Sequence, residues 1–497
     1  MVRNSRRKRA SGKSRKPRQA KGALTNAASL RQAFAWLLPD AGIFAQVRFH
    51  GNVSWAASSL VLLALCWSWS EARYVTDAFT DAAAWCQALL GSAPLTTYQG
   101  FMAALATWTP HLLPVLVRVL HQRMAQLRGT CYRVHGWVAI AFDGSRSTAP
   151  RTRSNEAALC AKDYGSGRTA KYRKKKTKGM RRRHNAKNPP APPEPQAFIT
   201  MLWHMGLRLP WDWRLGPSDA SERDHVMAMI TQGSFPTKTL LCGDAGFVGY
   251  RLWSCIQRAD LHFLVRVGAN VNLLSEQAQC QFAKLGKERL VLCWPKEALR
   301  TDQPPLRLRL VRVRVGKTLM WLLTNVLDRR QLTQQMMVRF YKMRWGVEIE
   351  YRGLKQTLDR AKLRCRNGQR LLAELNWSIW AMAVAELLAV KEQLERRASK
   401  KPDRRGSRYD PGKRSLAGTM RALRGCLKKL GDRPRAGKDL ASLLGQAVTD
   451  SYRRTSSKKA RYRPPNPDKK PLGDPEIRKL NADERRKLKQ LGRKKAA

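Results

Sequence analysis

The segment from Phe340 to Lys355, F-Y-K-M-R-W-G-V-E-I-E-Y-R-G-L-K, constrains the chain more than any other stretch. Wound as a helix at about 100° per residue, it brings Tyr341, Arg344, Glu348 and Lys355 into an arc of about 60°. Phe340, Val347, Tyr351, Leu354 and Leu358 form an apolar stripe beside that arc, the pattern of a helix with one buried side. One carboxylate, Glu348, is thus framed by a phenol, a guanidinium and an ammonium at the margin of a core-facing surface. Glu350 points about 180° away from Tyr341 by the same count. The frame suits a carboxylate that holds a metal ion while cations grip phosphates. The bland alternative is a solvated charged face, which describes most helices rich in Glu, Arg and Lys.

Charge narrows the choice of partner. The 497 residues include 95 Lys and Arg against 36 Asp and Glu, a formal net charge of +59. That excess calls for a polyanion, with DNA or RNA ahead of a membrane surface. The length fits about two to four folding units. Ten cysteines stand singly, without a C-x-x-C pair or regularly spaced His partners. This points away from a zinc site and from a disulfide framework, and free thiols fit a reducing cytoplasm. The N-terminus is basic and polar, with no signal-peptide core. The apolar run Val53–Trp69 is near the lower length limit for a membrane span and is studded with Ser and Trp, so it reads as a buried helix.

Taken in order, residues 1–22 read as a disordered basic arm and residues 23–130 as a helical N-terminal domain punctuated by Pro and Gly. Trp137-Val-Ala-Ile-Ala-Phe-Asp143-Gly-Ser reads as a buried strand with an acid at its C-terminal end. Taken alone, Asp143 reads better as a turn aspartate. Residues 150–196 are dense in Lys and Arg and then in Pro, a loop or disordered insert. Ala220-Ser-Glu-Arg-Asp opens a capped helix. Thr239-Leu-Leu-Cys-Gly-Asp244 repeats the strand-then-acid pattern, with a helix N-cap as the structural alternative for Asp244. Acids at strand ends in a strand–helix–strand rhythm suit a site at the carboxyl edge of an α/β sheet. Residues 268–322 read as a β-rich insertion, in which L-R-L-R-L-V-R-V-R-V suggests a half-exposed strand with one strongly basic face. A long apolar helix over 371–397 packs on the sheet. Residues 396–497 form a basic region, largely disordered after about 451.

The spacing Tyr341-x2-Arg344-x3-Glu348-x6-Lys355 resembles the Y-R-E-K signature of the DDE transposases of the insertion-sequence-four family. The resemblance spans residues 131–395 and implies a ribonuclease-H-like catalytic core, a mixed sheet flanked by helices. It implies Asp143, Asp244 and Glu348 as catalytic and metal-holding residues, with Tyr341, Arg344 and Lys355 on DNA. Trp321 resembles a family tryptophan that stacks on a flipped base, and it reads equally well as a core aromatic. Arg266 resembles a family DNA-contacting arginine.

Carboxylate donors without His or Cys select Mg²⁺, or Mn²⁺, for phosphodiester chemistry. The resemblance implies cut-and-paste transposition: hydrolysis at a transposon end, a hairpin, and joining to target DNA. Its partners are then double-stranded inverted-repeat ends, target DNA and a second copy of the chain, in a bacterial cytoplasm and without a membrane. Two other readings stay open, a non-enzymatic DNA-binding protein derived from a transposase and a metal-dependent nuclease without strand transfer. The long basic, Pro-rich insert, the extreme charge and Gly346 and Gly353 depart from the family pattern, each glycine costing a helix about 1 kcal/mol.

Overall fold

Runs such as V-A-I-A-F and T-L-L-C-G are too uniformly apolar for a sheet face in water, and both become inner strands covered on two sides. The computed structural model describes residues 24–39, 41–127, 131–160, 194–275, 288–316, 318–398, 410–449 and 472–496. The expected arm over 1–22, most of the 150–196 insert and residues 450–471 lie outside the described residues.

Among the described residues four α-helices come first: α1 (Asn26–Leu37), α2 (Ala57–Trp69), α3 (Val75–Leu90) and α4 (Tyr98–Gln126). The Val53–Trp69 run becomes α2, buried from Leu60 to Trp69. It packs on α3 and on the long helix Gly368–Ala398. The α4 helix and Gly368–Arg397 are long and apolar enough to cross a membrane by length and composition, and 89% of the latter's apolar window is buried inside the fold.

Among the described residues ten strands follow: β1 (Val138–Thr148), β2 (Gln196–His204), β3 (Leu209–Gly216), β4 (Thr239–Gly243), β5 (His262–Val267), β6 (Asn272–Ser275), β7 (Glu288–Cys293), β8 (Leu306–Val315), β9 (Thr318–Thr324) and β10 (Glu476–Lys479). They form one sheet in the order β10-β6-β7-β8-β9-β5-β4-β1-β2-β3. Strands β1, β2 and β3 pair antiparallel, while β4 runs parallel to β1 and β5 parallel to β4. Antiparallel β9 and β8 then carry the sheet outward, as expected of a β-rich segment between Asp244 and Glu348.

Three expectations need correction. The strand carrying Asp143 does not end there: β1 continues to Thr148, because its second half pairs with β2 from Gly144↔Thr200 to Thr148↔Gln196. The arginines of β8 do not share one face. Leu310 and Val311 stand between Arg309 and Arg312 and shift the alternation, so Arg309 is buried against Glu288 at 3.4 Å while Arg312 is exposed. The C-terminal region is also ordered beyond 471: Glu476–Lys479 joins the sheet edge beside β6, and a helix follows over Ala482–Ala496.

Candidate active site

Parallel pairing of β1 with β4 runs only over Val138–Ala141, against Thr239–Cys242. Asp143 therefore stands two residues past the last paired position of β1. Asp244 follows β4 directly, at the same edge of the sheet. Asp244 is not a helix N-cap: Gly249 occupies that position for the helix Tyr250–Arg258, and the Asp244 carboxylate accepts the Gly246 amide at 2.7 Å. Asp143 Oδ1 accepts the Gly144 amide at 2.9 Å.

The signature segment folds as two helices, Gln334–Arg344 and Gly346–Arg352, followed by a widened turn over Gly353–Thr357. That turn shows the i→i+5 bond of a π-bulge, Leu358 N to Gly353 O at 3.2 Å. All five stripe residues are buried. The two glycines are required by tertiary contact rather than being helix defects. A Cβ on Gly346 would lie 2.1 Å from the Trp203 ring, and one on Gly353 would lie 2.6 Å from Leu416.

The four signature residues are not alike. Glu348 is exposed and Lys355 half-buried, whereas Tyr341 and Arg344 are only 4% and 3% exposed. The Arg344 guanidinium lies over the rings of Tyr341 (5.5 Å) and Trp345 (5.2 Å), with its buried Nε unpaired. Lys355 Nζ donates to Ser145 Oγ at 2.8 Å, which fixes the ammonium two residues from Asp143 on β1. Tyr351 Oη donates to the backbone carbonyls of Asp143 (2.8 Å) and Ile199 (3.3 Å), tying the helix to β1 and β2 together.

The acids sense one another. Burial pushes the Asp143 carboxyl up to about 6; the charges of Asp244 and Glu348 add to the rise, and the Gly144 amide and Arg344 oppose it. Glu222, in the first turn of the helix Glu222–Gln232, joins this group. Its carboxyl is raised by burial first, then by Asp143 and Asp244, against Arg146 and Arg223. A Cβ on Gly144 would fall 2.0 Å from Glu222 Oε1, so the carboxylate leans across β1 where only glycine leaves room. Sequence reasoning read Glu222 only as part of a helix cap. The available signal was the short connection that brings this helix back to the carboxyl edge.

Arg266 lies on β5, and Trp321 on neighbouring β9 pairs with Val267. Arg266, Arg312 and Trp321 line a cavity of about 270 Å³ that is closed by Leu472, Gly473 and Asp474. Trp321 is 4% exposed, and its Nε1 donates to Asp474 Oδ1 at 2.6 Å. Asp143, Arg266 and Trp321 thus sit on strands β1, β5 and β9 and Asp244 directly after β4, with Tyr341, Arg344, Glu348 and Lys355 on the helical segment packed against them.

The donor set has the chemistry of a hard divalent cation, being carboxylate only. As placed, no three acidic side chains among the described residues close on one point to ligate an ion together. Glu348 is exposed at this edge, so the donors fit such an ion without already forming its cage.

Residues 200–384 match the family model of the transposase DDE domain, less than half of the chain. The matched range holds Asp244, Glu348 and the whole signature; Asp143 lies outside it and is brought in by the pairing of β1 with β4. This match supports a DDE transposase. Among solved structures, a cryo-EM structure of a piggyBac transposase synaptic complex with hairpin DNA is similar at 10% identity, covering 86% of this chain and 87% of that one with a TM-score of 0.39. No curated protein matches the chain.

Proposed function

We propose that this chain is a cut-and-paste transposase of the insertion-sequence-four type, acting through divalent metal ions on DNA at transposon ends. The observation that carries the reading is the meeting of Asp143, Asp244 and Glu348 at one sheet edge beside Arg344 and Lys355. The strand order β3-β2-β1-β4-β5, antiparallel then parallel, supports a ribonuclease-H-like core.

Asp143, Asp244 and Glu348 would hold Mg²⁺ or Mn²⁺, with Glu222 beside them. When bound, such ions stabilise the charge that gathers in phosphodiester displacement and activate the attacking oxygen. The chain's own residues do the rest. Lys355, held by Ser145, positions a phosphate next to Asp143 as a point charge. Arg344 keeps positive charge near the same carboxylate without leaving the core. Hydrolysis at the end consumes one water and leaves a 3′-hydroxyl and a 5′-phosphate. In the hairpin step that hydroxyl forms a bond to phosphorus on the opposite strand and displaces that strand's 3′-oxygen. Two copies of the chain, one per inverted-repeat end, would bring the ends together.

The formal net charge of +59 fits a second reading equally, a DNA-binding protein without cleavage. DNA carrying the ends that flank the gene, incubated with Mg²⁺ or with EDTA, separates the two. Metal-dependent nicking followed by a hairpin is expected. Tight, salt-sensitive binding without any cleavage would leave the binder.

A further inference from the structure

The helix Gly346–Arg352 carries two acids, and the reaction uses one. The other, Glu350, is 6% exposed and sits in a buried polar cluster. Its Oε2 accepts from Trp203 Nε1 at 3.1 Å, and burial together with the charge of nearby Glu386 pushes its carboxyl well above the usual range. Arg414 completes the set: Nη2 donates to Glu386 Oε1 at 3.0 Å, Nη1 to Leu207 O at 2.9 Å, and Nη2 also to Arg208 O. Glu350 Oε1 and Glu386 Oε2 are buried without a hydrogen-bond partner, so Trp203 and Arg414 supply the side-chain donors to these two acids.

We infer that Glu350 is a positioning residue that fixes the rotation of this helix and so aims Glu348 at the two aspartates. The inference rests on the reading of Glu348 as a metal-holding residue. Trp203 touches the helix at Gly346 through its ring and at Glu350 through its indole nitrogen, one turn apart on the same side. Glu348 lies about 200° from both contacts, so the side facing Trp203 sets where Glu348 points. Trp203 sits on β2, the strand that pairs with β1 at Ala141↔Trp203 and Asp143↔Met201. One indole therefore relates the helix that bears Glu348 to the strand that bears Asp143.

Apolar residues would hold the helix as firmly, because a buried ionic group brings little net stability. Directed hydrogen bonds add a unique rotation, which greasy packing does not enforce.

The test uses the full chain and two readouts: Mn²⁺ affinity from electron paramagnetic resonance, and the cleavage rate at saturating end DNA. Glu350→Leu should weaken Mn²⁺ binding and slow cleavage by about tenfold or more while DNA affinity is unchanged. Glu350→Gln, which keeps the shape of the side chain and an acceptor for Trp203, should retain both. Leu444→Ala, a core truncation away from the site, serves as a control and should keep its Mn²⁺ affinity at a comparable loss of Tm. If Glu350→Leu does not fold, Trp203→Phe removes the indole donor alone and should shift Mn²⁺ affinity in the same direction. Glu350→Leu matching the control in Mn²⁺ affinity, or Glu350→Gln failing as badly as Glu350→Leu, would overturn the inference alone, as would Trp203→Phe without a shift. A wild-type chain that neither binds Mn²⁺ nor cleaves would overturn the proposed function and take the inference with it.

Discussion

Glu348 and Glu350 stand two residues apart on one helix, and in the proposed reading they do opposite work. Glu348 is exposed, and its charge reaches Asp143. Glu350 is buried among Trp203, Glu386 and Arg414. An acid at a catalytic edge must be able to leave its solvent shell for a ligand, whereas an acid inside is held by donors built into the fold. The outer face of the helix is therefore kept open, and the inner face carries the precision that the outer one needs.

The contrast is broken most strongly by removing the outer carboxylate. Glu348→Gln should lower the cleavage rate by about a thousandfold or more with DNA affinity retained, measured by single-turnover cleavage and a binding titration.

Acid should act away from this helix, where α4 meets β3. His121 stacks on Trp211 at 3.6 Å between ring centroids, and burial holds its imidazole down at about 4. Burial likewise holds nearby His204 at about 3. Both bind protons in the unfolded chain before they do in the folded one. The stability they confer is present above the ordinary histidine range near pH 6.5 and is lost as pH falls toward 4. Over that window the wild type should lose on the order of 3 kcal/mol more than His121→Gln in thermal unfolding, the difference that isolates this ring from carboxyls such as Asp143 whose shift acts in the opposite sense. Equal losses in the two would contradict the neutral, buried state of His121.

Gly346→Ala presses on the inner face: its Cβ would meet the Trp203 ring at 2.1 Å, and a destabilisation of about 1–3 kcal/mol is expected in denaturant unfolding. Unchanged stability would mean that the helix has room there. The smallest effect is expected from Tyr351→Phe, which removes the bond to Asp143 O and should cost about 1 kcal/mol in the same assay.

Much of this was legible in the sequence. The helical spacing placed the signature residues on one arc, and two short apolar runs ending in aspartate gave the strands that bring Asp143 and Asp244 to one edge. What escaped depended on tertiary neighbours. Spacing shows which side chains adjoin one another but not how deep they lie, so the burial of Tyr341 and Arg344 was hidden. The two glycines looked costly because the Trp203 and Leu416 contacts that require them come from distant parts of the chain. Strand β10 is too short and too charged to stand out beside a Lys- and Pro-rich stretch. The split of the β8 arginines between two faces was readable, since two adjacent apolar residues reverse the alternation.

The most direct test of the account is single-turnover cleavage of end DNA by Glu348→Gln beside Glu350→Gln, in Mg²⁺ and at saturating DNA. The account predicts that the first binds DNA without cutting it and that the second cuts at the wild-type rate. Cleavage that survives in Glu348→Gln, or is lost equally in both, would contradict the division of labour between the two faces of the helix.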